Sequence, residues 1–192
     1  MRQSLHRCSW CLNDPLYIKY HDTEWGIPLY NDQKLFEFLT LETFQAGLSW
    51  LTILRKRENF RAAFDQFDFK KVASYDSKRK EQLQQDAGII RNRLKIKAAV
   101  NNAQAFIKVI EKEGSFADYM WQFVEGKPIV NYHSSEKDIP ALSPLAETFS
   151  KDLKQRGFTF VGPTVVYAHM QATGMVNDHV MDCFRHAAVQ QV

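Results

Sequence analysis

From Asn92 to Gly114 the apolar residues Ile96, Ala99, Val100, Ala103, Phe106 and Ile110 fall on one face at helical spacing. The same spacing governs most of the chain. Asp32 is expected to cap a helix carrying Leu35, Phe36, Phe38, Leu39 and Leu41, with Gly47 ending it. Ser49 then caps a helix with Leu51, Ile53, Leu54, Phe60 and Phe64, and Asp68 and Ser77 begin two shorter ones. Gly114-Ser115 breaks the long helix before a short one with Phe116, Tyr119, Met120 and Phe123. Glu125 to Ser143 reads as the longest loop, Ser143 caps a helix ending at Gly157, and Gly162-Pro163 opens the last strong one. Phe158-Thr159-Phe160-Val161 is the one good strand candidate, and no internal repeat is evident. The expected fold class is all-α, with residues 1–192 forming one domain or two small lobes sharing a core.

The 192 residues are 45% hydrophobic and 24% charged, which is globular rather than disordered composition. The aromatic share of 13% exceeds what a core alone usually needs, so some rings are expected at a binding surface. A net charge of +3 permits a nucleic-acid partner without requiring one. Three cysteines do not form a disulfide framework. Met1 to Arg7 has no apolar leader, and no segment approaches the ~18 consecutive apolar residues of a membrane span. The expectation is a cytosolic protein without a membrane partner.

Metal-ligating residues gather at the two ends. Cys8 and His21 are separated by 12 residues near the start; His179 and Cys183, at i and i+4, would share one face of a helix. Two thiols and two imidazoles suit a closed tetrahedral Zn²⁺ site, which would tie the termini together. Cys8-Ser9-Trp10-Cys11 is a C-x-x-C that offers a competing ligand pair, and buried, unligated thiols account for the spacing as well.

Gln85 to Arg93 joins two helical runs through a tight turn containing Gly88 and Ile90. Basic residues follow at Arg91, Arg93, Lys95 and Lys97, near a helix N-terminus whose free amides can bind phosphate. This is the composition of a DNA-anchoring hairpin, although a solvated basic helix end would look similar. Glu42 lies in an apolar helical stretch beside Leu41 and Phe44, where a carboxylate is costly unless partnered. That makes it a functional candidate. Trp10, Tyr20, Trp25 and Trp50 read equally as core aromatics.

Four blocks carry a resemblance that runs from about Cys8 to Cys183. They are Asp14-Pro15-Leu16-Tyr17-Ile18-Lys19-Tyr20-His21-Asp22-Thr23-Glu24-Trp25-Gly26, Gln45-Ala46-Gly47-Leu48-Ser49-Trp50, Asp86-Ala87-Gly88-Ile89-Ile90-Arg91 and Gly174-Met175-Val176-Asn177-Asp178-His179. In this order and register, the chain resembles the bacterial constitutive 3-methyladenine DNA glycosylases. The resemblance implies a helix-hairpin-helix glycosylase fold, with Cys8, His21, His179 and Cys183 as ligands of one structural zinc and Cys11 as a bystander. It implies Glu42 as the pocket carboxylate, Trp50 as the stacking ring, and Tyr20 and Trp10 as further pocket positions. The segment Met1 to Arg7 and the tail after Cys183 depart from the family pattern, away from the pocket.

The implied activity is monofunctional hydrolysis of the glycosidic bond of 3-methyladenine in duplex DNA by a monomer, without lyase chemistry. A base inside a duplex must be flipped out to be reached. Methylation makes the adenine ring cationic, which weakens the glycosidic bond and favours stacking on an indole such as Trp50, worth ~0.5–2 kcal/mol. Glu42 would accept from the exocyclic amine and attract the ring. Many glycosylases of this fold use an aspartate beyond the hairpin, but Phe158 to Met170 contains no acidic residue, and the family resembled also lacks it. Glu42 is therefore assigned chiefly to recognition of the base. The competing readings are a non-catalytic binder of damaged DNA and a glycosylase of the same fold for another alkylated base.

Overall fold

In the computed structural model, which describes residues 5–191, side-chain caps set the starts of most helices. Asp14 accepts from the Leu16 amide at the head of α1 (Pro15–Thr23), and Asn31 from Lys34 at the head of α2 (Asp32–Gln45). Ser49 caps α3 (Trp50–Ala63), Asp68 caps α4 (Phe69–Ala73) and Asp76 caps α5 (Ser77–Gln85). Asn92 takes the Leu94 and Lys95 amides at the start of α6 (Arg93–Glu113), and Ser115 caps α7 (Phe116–Trp121). Ser143 caps α8 (Pro144–Gln155), whereas α9 (Pro163–Ala172) begins after Gly162 with no side-chain cap. The short α10 (Phe184–Ala188) follows Cys183. Met1–Ser4, part of the stretch without an apolar leader, and Val192 lie outside the described residues.

Two sequence expectations are corrected. Asn31, not Asp32, caps α2. The Asp32 carboxylate instead accepts from the Phe116 and Ala117 amides at 3.2 and 2.9 Å, so it caps α7 from a distance. Phe158–Val161 is not a strand: it forms the turn between α8 and α9, with Phe160 at φ +57°. Side chains satisfy its backbone, since Asn102 exchanges hydrogen bonds with Thr159 and the Ser150 hydroxyl donates to the Val161 carbonyl. The strands that do form, β1 (Ile129–Val130) and β2 (Val176–Asn177), are a two-residue parallel pair. They pin the long loop after α7 to the chain leaving α9. The fold is thus mostly helical rather than strictly all-α.

Leu35 through Phe44 of α2 are all buried, so this helix runs through the core. Helices α3, α6, α7 and α9 pack around it, α4 and α5 pack on α6, and α8 packs on α9. Phenylalanines fill the interior, with Phe106 stacked on Phe116 at 4.1 Å and edge-on to Phe36. The turn after α9 requires glycine at 174, where φ is +73° and a Cβ would lie 2.4 Å from the Ile27 backbone. This close approach brings α9 against the segment following α1, and both helices line one cavity. Among the described residues no helix is long and apolar enough to cross a membrane.

Candidate functional site

The core helix α2 carries two buried carboxylates. Glu37 accepts from Arg57 Nε at 2.6 Å and Arg61 Nε at 2.9 Å. Glu42, only 3% exposed, has no such compensation: burial alone pushes its carboxyl up to about 8. It faces a cavity of about 380 Å³ lined by Trp10, Tyr20, Trp50 and Trp25, together with Tyr17, Gln45, Glu136, Ile139, Ala168 and Gln171. Tyr20 and Trp50 lie with ring centroids 5.5 Å apart, and Trp10 packs on Tyr17 at 4.8 Å and edge-on to Trp25 at 5.0 Å. The hydroxyls of Tyr20 and Tyr17 are raised by burial first and by the Glu42 carboxylate second, so both sit within its field. The Trp50 indole Nε1 is buried without a partner. The cavity therefore combines electron-rich faces with an uncompensated acid, which suits a flat, cationic, hydrogen-bond-donating ligand.

All four pocket residues expected from the sequence come together here. The sequence reading missed Tyr17, Gln45 and Gln171, although each lies three residues from another wall residue (Tyr20, Glu42 and Ala168) on the same helix. That periodic signal was available. Glu136 and Ile139 come from the long loop and carry no periodic signal. The Glu136 carboxylate accepts from the Ser9 amide and hydroxyl, joining that loop to the N-terminal segment at the cavity wall.

Cys8, His21, His179 and Cys183 form a buried cluster whose donor atoms all lie within 4.8 Å of one another. The expectation that His179 and Cys183 share a helix face is corrected. His179 follows β2 in irregular chain, and Cys183 closes the next turn immediately before α10. Cys183 Sγ lies 3.4 Å from His21 Nε2 and 3.6 Å from His179 Nδ1, and Cys8 Sγ lies 3.7 Å from His179 Nδ1. A tetrahedral zinc with ordinary bond lengths sets sulfur–nitrogen edges of roughly 3.6 Å, so the spacing fits. The outer ring nitrogens are also engaged, His21 Nδ1 by Asp22 at 2.8 Å and His179 Nε2 by the Trp25 carbonyl at 3.1 Å. Hydrogen bonding from Cys8 and then from the imidazoles holds Cys183 low, while Cys8 is pushed up. Cys11 stays outside the cluster, its thiol donating to the Cys8 carbonyl.

The turn between α5 and α6 is built tightly. The Gly88 amide goes to Asp86 Oδ1 at 2.7 Å, and a Cβ at Gly88 would meet that oxygen at 2.9 Å. Lys56 from α3 holds the Ala87 and Gly88 carbonyls. Arg91 and Arg93 are exposed and Ile90 is half-buried. Lys95 is a correction to the expected phosphate contact. Its ammonium is buried and donates to the Phe44 and Ala46 carbonyls at 2.8 and 2.6 Å, capping the C-terminus of α2 below the cavity. A second helix–turn–helix, α8 and α9, presents its uncapped second helix beside Thr164, which is exposed.

With the geometry in place, comparisons with known proteins are informative. A family model described as methyladenine glycosylase matches residues 10–186. The chain is 50% identical over 179 residues to DNA-3-methyladenine glycosylase 1 of Escherichia coli (strain K12), covering 93% of this chain and 96% of that one. A crystal structure of 3-methyladenine DNA glycosylase I superposes with a TM-score of 0.90 at 49% identity, over 93% of this chain and 98% of the other. A Tyr-to-Phe variant of 3-methyladenine DNA glycosylase I in complex with 3-methyladenine gives a TM-score of 0.90 at 39% identity, over 93% and 96%.

Proposed function

The chain belongs to the methyladenine glycosylase family, and from that premise we propose that it excises 3-methyladenine from alkylated duplex DNA, with Glu42 as the residue that recognises the flipped base. It is a DNA-3-methyladenine glycosylase of base-excision repair, a hydrolase of the N-glycosidic bond. The observation that carries the site assignment is the buried, uncompensated Glu42 carboxyl within an aromatic cavity.

Burial holds Glu42 largely as the neutral acid at pH 7. A cationic base entering between Trp50, Tyr20 and Trp10 supplies the missing positive charge, so Glu42 gives up its proton and ion pairing replaces lost hydration. Unmethylated adenine offers the amine without the charge and gains only part of this stabilisation. Once flipped, a methylated base is already a good leaving group because it departs neutral. The pocket's task is to select and orient it while water attacks the sugar.

The four-residue cluster is read as a structural zinc site held by Cys8, His21, His179 and Cys183. The metal would supply a crosslink between the chain's ends, and with four protein ligands it would leave no open position for catalysis. The DNA contact is assigned to exposed Arg91 and Arg93 with the Gly88–Ile90 turn, and to the uncapped start of α9, whose free amides suit a phosphate oxygen. Lys95 drops out of that contact. A monomer acting in the bacterial cytoplasm completes the reading.

The test is to incubate the protein with methylated duplex DNA and identify the free bases released. Free 3-methyladenine is expected. Binding without release would favour the damage-binding alternative, and release of a different alkylated base would favour a same-fold glycosylase of other specificity.

A further inference from the structure

Asp178 is 1% exposed and sits behind the cavity wall. Its Oδ1 accepts from Asn131 Nδ2 at 2.7 Å and His133 Nε2 at 3.1 Å; its Oδ2 accepts from the Tyr167 hydroxyl and Gln171 Nε2, each at 2.7 Å. Four donors saturate a carboxylate's acceptor sites. The arrangement joins the long loop, α9 and the segment after β2, and it fixes the orientation of one amide that lines the cavity. Turning the Gln171 amide over would set Oε1 against a carboxylate oxygen, so its nitrogen faces Asp178 and its carbonyl oxygen faces the other way. The Gln171 backbone is held as well, its carbonyl accepting from the Gly26 amide at 3.1 Å.

We propose that Gln171 is a specificity-determining residue of the pocket: oriented by Asp178, its Oε1 accepts a hydrogen bond from the exocyclic amine of the flipped base and so selects adenine lesions over guanine lesions. The inference rests on the glycosylase reading and adds to it. Charge alone does not separate methylated adenine from methylated guanine, since ring methylation makes both cationic in DNA. The 6-position does separate them, because adenine carries an amine with two N–H donors there and guanine carries a carbonyl acceptor. Glu42 and Gln171 both line the cavity and both offer acceptors, which reward the amine and repel the carbonyl. A site built to receive donors discriminates strongly against a ligand that lacks them. Asp178 acts as a positioning residue, since it reaches the base only through Gln171.

The experiment compares wild type, Gln171→Met, Gln171→Ala and Tyr167→Phe on methylated duplex DNA, with the released 3-methyladenine and 3-methylguanine quantified by chromatography. Met keeps the length of Gln without its oxygen, and Ala removes the same acceptor with less crowding. Tyr167→Phe removes another donor from the same Asp178 oxygen while leaving the cavity wall unchanged. For both Gln171 variants, the ratio of kcat/KM for 3-methyladenine to that for 3-methylguanine should fall at least about tenfold. In Tyr167→Phe the ratio should hold. An unchanged ratio in both Gln171 variants, or an equal shift in Tyr167→Phe, overturns the proposal while wild-type excision of 3-methyladenine still upholds the glycosylase reading. If wild type itself releases no 3-methyladenine, both fall together.

Discussion

Glu37 and Glu42 lie on the same helix, one turn and a residue apart, at 6% and 3% exposure, and their surroundings treat them in opposite ways. Glu37 is met by Arg57 and Arg61 from α3, and Arg57 continues to Glu24 at 2.6 Å, so the charge cluster joins the end of α1 to α2 and α3. Glu42 is met by aromatic rings and open space, and its carboxyl rises to about 8. Helix propensity and burial are shared; only the groups brought by neighbouring elements differ. A buried acid with its own cations holds a fold together. One left without them is available to a cation from outside.

Four substitutions or titrations sharpen this contrast, taken from the largest expected effect downward. Glu37→Gln leaves the Arg57 guanidinium buried and short of a partner, which should cost about 5 kcal/mol in denaturant unfolding. Activity per folded molecule should be retained, and a variant of normal stability but low activity would break the distinction. Glu42→Gln should do the reverse for stability. A folded acid raised to about 8 from 4.5 keeps its proton where the unfolded chain has lost it. The contribution of Glu42 to stability is therefore greatest below 4.5, declines as pH rises to 8 and is level above. Glutamine lacks that slope, so at pH 8 the variant should be more stable by about 4 kcal/mol, with the two proteins converging near pH 4.5. The same ionisation should appear in catalysis: kcat/KM of wild type should fall about tenfold per pH unit below the Glu42 midpoint, and a profile flat from pH 6 to 8 would remove Glu42 from recognition. The smallest effect is expected at the surface, where Arg91→Ala should lower the salt dependence of duplex affinity by about one phosphate contact. An unchanged salt slope would take Arg91 out of the interface.

What the sequence revealed follows the range of each interaction. Ser49 and Ser143 were legible as caps because a cap is satisfied within three residues. Asp32 looked equally like a cap, but its partners, Phe116 and Ala117, lie on another helix. Lys95 reads as a phosphate ligand until the fold sets the end of α2 against it. His179 and Cys183 do converge, by a turn where spacing had implied a helix. Glu42, Trp50, Tyr20 and Trp10 share one cavity, as the family blocks implied, whereas Glu136 and the Asp178–Gln171 contact depend on a loop without periodic pattern.

The most direct test of the account measures excision and folding together. Wild type and Glu42→Gln are assayed for release of 3-methyladenine from methylated duplex DNA at pH 8, with melting temperatures recorded on the same samples. The account predicts a loss of about a hundredfold or more in the variant's kcat/KM, with a melting temperature equal to or above that of wild type. Excision at the wild-type rate, or a loss matched by unfolding, would contradict it.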